Sequence, residues 1–120
     1  MEIKEMSYQE LTGKMMLGGV SDFSVSELKE AIEVIETEIK RISAEELHDA
    51  QVEQLDAINK LNAAKVNNNE GELTYYYDKL MAAEKKIFEA ESAIDHANNF
   101  ISVLNNSIEE KSVDMPKPRI

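Results

Sequence analysis

Residues 80–108 read LMAAEKKIFEAESAIDHANNFISVLNNSI. Leu80, Ile87, Ile94, Ile101 and Ile108 recur every seven residues, and Ala83, Ala90 and Ala97 each follow one of the first three by three positions. Apolar residues stepping by three and four mark one face of a helix. A methyl group alternating with a large aliphatic suits a helix that approaches another closely, toward the low end of the roughly 8–10 Å interaxial range. The stretch therefore predicts a long helix over about 72–110, with large residues of a second helix facing its alanines.

The second helix is legible upstream. Val25, Leu28, Ile32, Ile35, Ile39 and Ile42 step by three and four without interruption. The same steps then land on Glu46, Asp49, Glu53 and Asp56, so the apolar stripe turns wholly acidic, while Leu47, Leu55, Ile58 and Leu61 carry apolar character onto a shifted face. Either the helix breaks at Ser43 or it continues through a skipped residue that changes the local phase. Residues 67–71, NNNEG, have the composition of a helix end and a turn.

Arms at 24–66 and 72–110, joined by a turn at 67–71, predict an all-α fold: a long antiparallel, coiled-coil-like helical hairpin. Folding the chain at that turn sets Ile58 beside Leu80 or Met81. Ser7, Ser24 and Ser43 each precede a glutamate by three residues, the spacing of a capping box at a helix start. The first box opens a short helix over 8–17, with Tyr8, Leu11 and Met15 on one face and Gly18-Gly19 at its end. Residues 1–23 thus form a short N-terminal helix and a Gly-Gly linker, and 24–111 form the hairpin. Residues 112–120 form a flexible tail, because Pro116 and Pro118 bar a helix there; the tail is either a mobile end or a short linear motif.

Composition narrows the function classes. The chain has 120 residues, 42% of them hydrophobic and 31% charged, which suits one modest domain. It contains no cysteine, so thiolate chemistry, disulfides and cysteine-based zinc sites are excluded. No apolar run is long enough to span a membrane, and residues 1–20 lack the pattern of a signal peptide. A cytoplasmic protein is expected. The net charge of −11 opposes binding to phosphate backbones and anionic membrane surfaces. Partners are therefore expected to be proteins, or a second copy in a homodimer, with no direct contact to nucleic acid or membrane.

Two groups of residues stand out as candidate sites. Tyr77, Met81 and Phe88 form an apolar line beside the heptad positions, flanked farther along by Phe100 and Val103. Two helices alone leave these side chains in water, so they predict a partner-binding stripe or additional helices, from residues 8–17 or from another copy. The second group is the acidic stripe Glu46, Asp49, Glu53 and Asp56, suited either to solvent or to a basic partner. Glu45 and His48 have the Glu-x-x-His step of carboxylate-bridged metal bundles, and the hairpin brings Glu91 near them. The only other histidine, His96, has Ala93 three before it, so the metal set is incomplete and no metal or cofactor is expected.

No phosphate-binding glycine loop or nucleophile elbow is present, and no catalytic residues are assigned. The leading expectation is a non-enzymatic interaction protein, an adaptor, chaperone-like or assembly subunit acting through helix packing. The alternative is an acidic inhibitor, such as a mobile-element protein, that blocks a nucleic-acid-binding enzyme with its carboxylate stripe.

Overall fold

The structure, a computed structural model, describes residues 2–113; the tail expected at 112–120 lies, beyond Val113, outside the described residues. It is all-helical, with no strand among those residues, and none of its helices is long and apolar enough to cross a membrane. The chain divides into two compact units, Met1–Ile39 with Asp95–Ile120, and Lys40–Ile94.

The first unit owes its start to two reciprocal caps. Ser7 accepts from the Glu10 N–H at 3.2 Å and opens α1, Tyr8–Gly18. Gly19, at φ +81°, a conformation costly for any residue with a Cβ, donates its N–H to the Met15 carbonyl and ends the helix. After a 3-10 turn at Val20–Asp22, the Ser24 N–H donates to the Glu27 carboxylate at 3.0 Å while Ser24 Oγ accepts from the Glu27 N–H at 3.1 Å. That box opens α2, Val25–Arg41. Leu11 and Met15 of α1 join Phe23, Leu28, Ala31 and Ile35 in one core cluster with Ala97 and Leu104 of the last helix. The largest fully buried side chains among the described residues, Leu11, Leu28, Ile35 and Leu104, all belong to this cluster. Helix α1 is thus the third element that the two long helices need here. Lys111 Nζ adds a tie, donating to the Ser21 carbonyl at 2.9 Å.

At Ser43 the structure chooses between the two sequence readings. The helix does not break: α2 passes into a π-helical turn, Ile42–Leu47, and continues as α3, His48–Val66. The third Ser-x-x-Glu step lies inside that turn and starts no helix. A π turn accommodates one residue more than an α turn, so the buried face resumes at Leu47 rather than Glu46. From there it runs Ala50, Gln54, Ala57, Leu61, Ala64, and Leu47, Ala50, Gln54 and Ala57 each lie one position beyond the acidic residue that the uninterrupted steps would have reached.

This shift corrects two expectations for the second unit. Leu55 and Ile58 do not face the other helix; they are 61% and 37% exposed. The α3 residues buried in their place are Ala50, Ala57 and Ala64, with Leu47, Gln54 and Leu61 half-buried between them. Nor does large face small. The Glu53 to Lys86 contact at 3.0 Å joins the two helices, Ala50 and Ala90 line one groove, and the buried residues of α3 and of this part of α4 are Ala50, Ala57, Ala64, Ala83 and Ala90. The second unit is an antiparallel helical hairpin whose two helices meet through alanine on both sides.

Three asparagines make its turn. The Asn69 N–H donates to the Ala64 carbonyl at 3.1 Å and the Asn68 N–H to the Lys65 carbonyl at 3.3 Å, the paired bonds of a Schellman end, with Asn68 in the left-handed region at φ +54°. Asn69 Oδ1 then accepts from the Glu72 N–H at 3.1 Å and caps α4, Glu70–Val113. Residues 70–94 of α4 serve the hairpin unit, and the remainder serves the first.

Candidate functional site

Alanine at the buried positions gives the hairpin unit two accessible sides, and the sequence treats them differently. On one side the π-helical turn carries Glu46 and α3 carries Asp49, Glu53, Asp56 and Lys60, while α4 carries Tyr75, Lys79, Ala82, Lys86 and Glu89, in steps of three and four. An open groove runs along this side over Ala57 and, farther on, over Ala50 and Ala90. Its charges are matched locally. Arg41 reaches Glu46 at 2.7 Å and Glu45 at 3.4 Å, Lys86 reaches Glu53 at 3.0 Å, and Lys60 reaches Asp56 at 3.2 Å. The hydrogen bond that Lys60 donates to Asp56, reinforced by the carboxylate's charge, raises the Lys60 ammonium above its ordinary value. Lys60 also sits over the Tyr76 ring and Lys79 over the Tyr75 ring, at 5.7 and 5.5 Å.

The acidic stripe is therefore brought together as an exposed row, but three of its four carboxylates carry a cation. Glu45, considered above as a metal ligand with His48 and Glu91, is held by Arg41. Among the described residues no group of three or more histidine or carboxylate side chains is disposed to hold a metal ion.

The other side carries exposed apolar residues among polar ones. There α3 presents Gln51, Leu55, Ile58, Asn62 and Lys65, and α4 presents Thr74, Tyr77, Met81, Glu84, Phe88 and Glu91. Tyr77 is 55% exposed, Met81 52% and Phe88 71%. Leu61, Leu73 and Tyr77 line a shallow notch on this side near the turn. Leu55 and Ile58 are the two residues that sequence reasoning left out of this face. Their signal was present in the seven-residue spacing of Ala50, Ala57 and Ala64, the same spacing as Ala83 and Ala90, which names the buried positions of α3 and so excludes Leu55 and Ile58 from them.

Phe100 and Val103 belong to the first unit. Phe100 is half-buried against the core cluster there, whereas Val103 is 53% exposed. The five residues assigned to one partner-binding stripe are thus divided between the two units. The sequence matches no known protein family, and no curated protein or solved structure is significantly similar to it.

Proposed function

We propose that this chain is a non-enzymatic protein–protein interaction module, an adaptor or assembly subunit, that docks a helical partner along the apolar side of its hairpin unit in coiled-coil fashion. The observation that carries this reading is the exposure of Leu55, Ile58, Tyr77, Met81 and Phe88 together on one side of two helices. Contiguous apolar surface rimmed by polar residues marks interaction sites in stable proteins. Methionine and aromatic side chains add adaptable, high-area contacts to such a surface. The acidic-inhibitor reading has weaker support, because Arg41, Lys60 and Lys86 already neutralise most of the carboxylate row.

Salt and mutation together separate the two. Tagged wild-type chain and the variants Phe88→Glu and Asp49→Lys are used to recover bound protein, foreign or an untagged second copy, from a nuclease-treated native lysate at low and high salt. The docking reading expects recovery that survives high salt, survives Asp49→Lys and is lost with Phe88→Glu, while circular dichroism of that variant stays helical. Recovery that disappears with salt or Asp49→Lys and ignores Phe88→Glu supports the carboxylate row instead, since exposed charges are screened.

A further inference from the structure

We propose that Arg41 locks the phase shift: its guanidinium holds Glu45 and Glu46 outward together across the π-helical turn, and the turn loosens when that pairing is screened or removed. The inference concerns the turn alone and holds whatever docks on the apolar side.

The spacing of the contacts carries it. In a regular α-helix a side chain has its neighbours three and four positions on, and a residue five positions on is turned roughly 140° away. Arg41 nevertheless meets Glu46, five positions on, at 2.7 Å, closer than it meets Glu45, four positions on, at 3.4 Å. The π turn, with its extra residue, sets Glu45 and Glu46 where the third and fourth positions stand in an α-helix. The backbone agrees, since the His48 N–H donates to the Ser43 carbonyl, five residues back.

The same rotation decides what faces the other helix. Without the extra residue, Glu46 lies four positions after buried Ile42 and continues its seam inward, and Arg41 keeps only Glu45 as a neighbour. With it, Glu46 reaches Arg41 and Leu47 takes the inward place. The Arg41 to Glu46 ion pair is therefore made only in the register that turns Leu47 and Ala50 inward. A surface contact thus favours one phase of the core.

Burial of Leu47 and Ala50 in place of Glu46 and Asp49 supplies most of that preference. Arg41 acts at the turn itself, where the His48 N–H is shared between the Ser43 and Glu45 carbonyls. The side chains of Arg41, Glu45 and Glu46 are 44%, 65% and 53% exposed, so salt screens their pairing. An exposed pair contributes little to global stability, and the effect is accordingly local.

Amide hydrogen exchange of the full-length chain over residues 43–50, with residues 28–35 of the first unit as reference, tests the lock. Arg41→Gln keeps a long side chain of similar helix propensity and removes its charge. Exchange over 43–50 is expected to be about threefold faster in that variant, with the reference unchanged. High salt is expected to speed the wild type by a similar factor and to leave Arg41→Gln as it was. Arg41→Glu sets three carboxylates together at the turn and is expected to have the larger effect. Added to Arg41→Glu, Glu46→Lys is expected to restore protection more fully than Glu45→Lys, each compared with its own single change. A regular α-helix through the turn gives the reverse order. Equal exchange in Arg41→Gln and the wild type, a salt response that survives that substitution, or better rescue by Glu45→Lys overturns the proposal.

Discussion

The two units solve the same problem with opposite means. In the first, large side chains such as Leu28, Ile35 and Leu104 are fully buried, and α1 supplies a third helix from the same chain to cover them. In the second, apart from Ile42 at its edge, the buried residues are alanines, and the large side chains Leu55, Tyr77, Met81 and Phe88 remain exposed. Burial contributes roughly 25 cal/mol per Å² of apolar surface, so a leucine layer stabilises far more than an alanine layer. The hairpin unit buries alanines and leaves its large apolar side chains outside. What stabilises the first unit internally is, in the second, left exposed.

The sharpest way to break the comparison is to delete one residue. Removing Ala44 from the π-helical turn leaves Leu47 four positions after Ile42, so α2 and α3 merge into a regular α-helix with both buried faces in phase. Removing Gln51, farther along, throws Ala57 and Ala64 out of phase and aims their neighbours at α4 instead. The expected result is a folded Ala44 deletion with near-native urea stability and a Gln51 deletion that loses the hairpin unit, read by amide exchange over residues 52–90. Equal stability of the two deletions would sink the phase-shift account.

That turn is also where sequence reading reached its limit. The Ile42 to Glu46 discontinuity showed that something changes phase, and the capping box at Ser43 suggested a helix start with equal force. A π turn has no side-chain signature of its own; it is chosen because skipping one residue exchanges Glu46, Asp49, Glu53 and Asp56 for Leu47, Ala50, Gln54 and Ala57 on the buried face. Desolvating a row of carboxylates costs several kcal/mol each, which outweighs the loss of regular hydrogen bonding over one turn. The long helices, the first two caps and the turn at Asn67 to Asn69 were legible because each has a local cause. The candidate face was legible in Tyr77, Met81 and Phe88; Leu55 and Ile58 were assigned inward because large aliphatics were weighted above alanines as core residues.

Substitutions at matched buried positions sharpen the contrast at smaller magnitude. Leu28→Ala is expected to cost about 2–5 kcal/mol in denaturant unfolding, through lost burial and the cavity it leaves. Ala57→Leu is expected to cost about 1–3 kcal/mol, through overpacking where the helices approach most closely. A hairpin that accepts leucine at Ala57 without loss is not closely packed.

Two changes at helix ends have smaller effects. Ser24→Ala is expected to lower stability by about 1 kcal/mol through loss of the α2 cap. The Glu27 carboxyl, held below its ordinary value by hydrogen bonds to Ser24, contributes stability above its unfolded pKa and loses it as the pH falls through the lower folded value. The Ser24 N–H, the larger of the two causes, survives in Ser24→Ala, so melting temperature followed from pH 6 down to about pH 3 should fall only slightly less steeply in that variant. Gly13→Ala is expected to stabilise by about 0.5–1 kcal/mol, since a Cβ at Gly13 meets nothing within 4 Å. A loss there would mean that α1 is packed differently.

The central claim is that Leu28, Ile35 and Leu104 of the first unit are covered within the chain, while the large apolar side chains of the hairpin unit stand exposed for the association proposed above. Amide hydrogen exchange of the purified full-length protein, alone and with the protein it recovers from lysate, tests it most directly. Protection over residues 51–65 and 74–91 is predicted to rise on binding while residues 8–39 and 97–108 keep the same protection. Protection of the hairpin that is unchanged by binding and equal to that of the first unit would contradict the account.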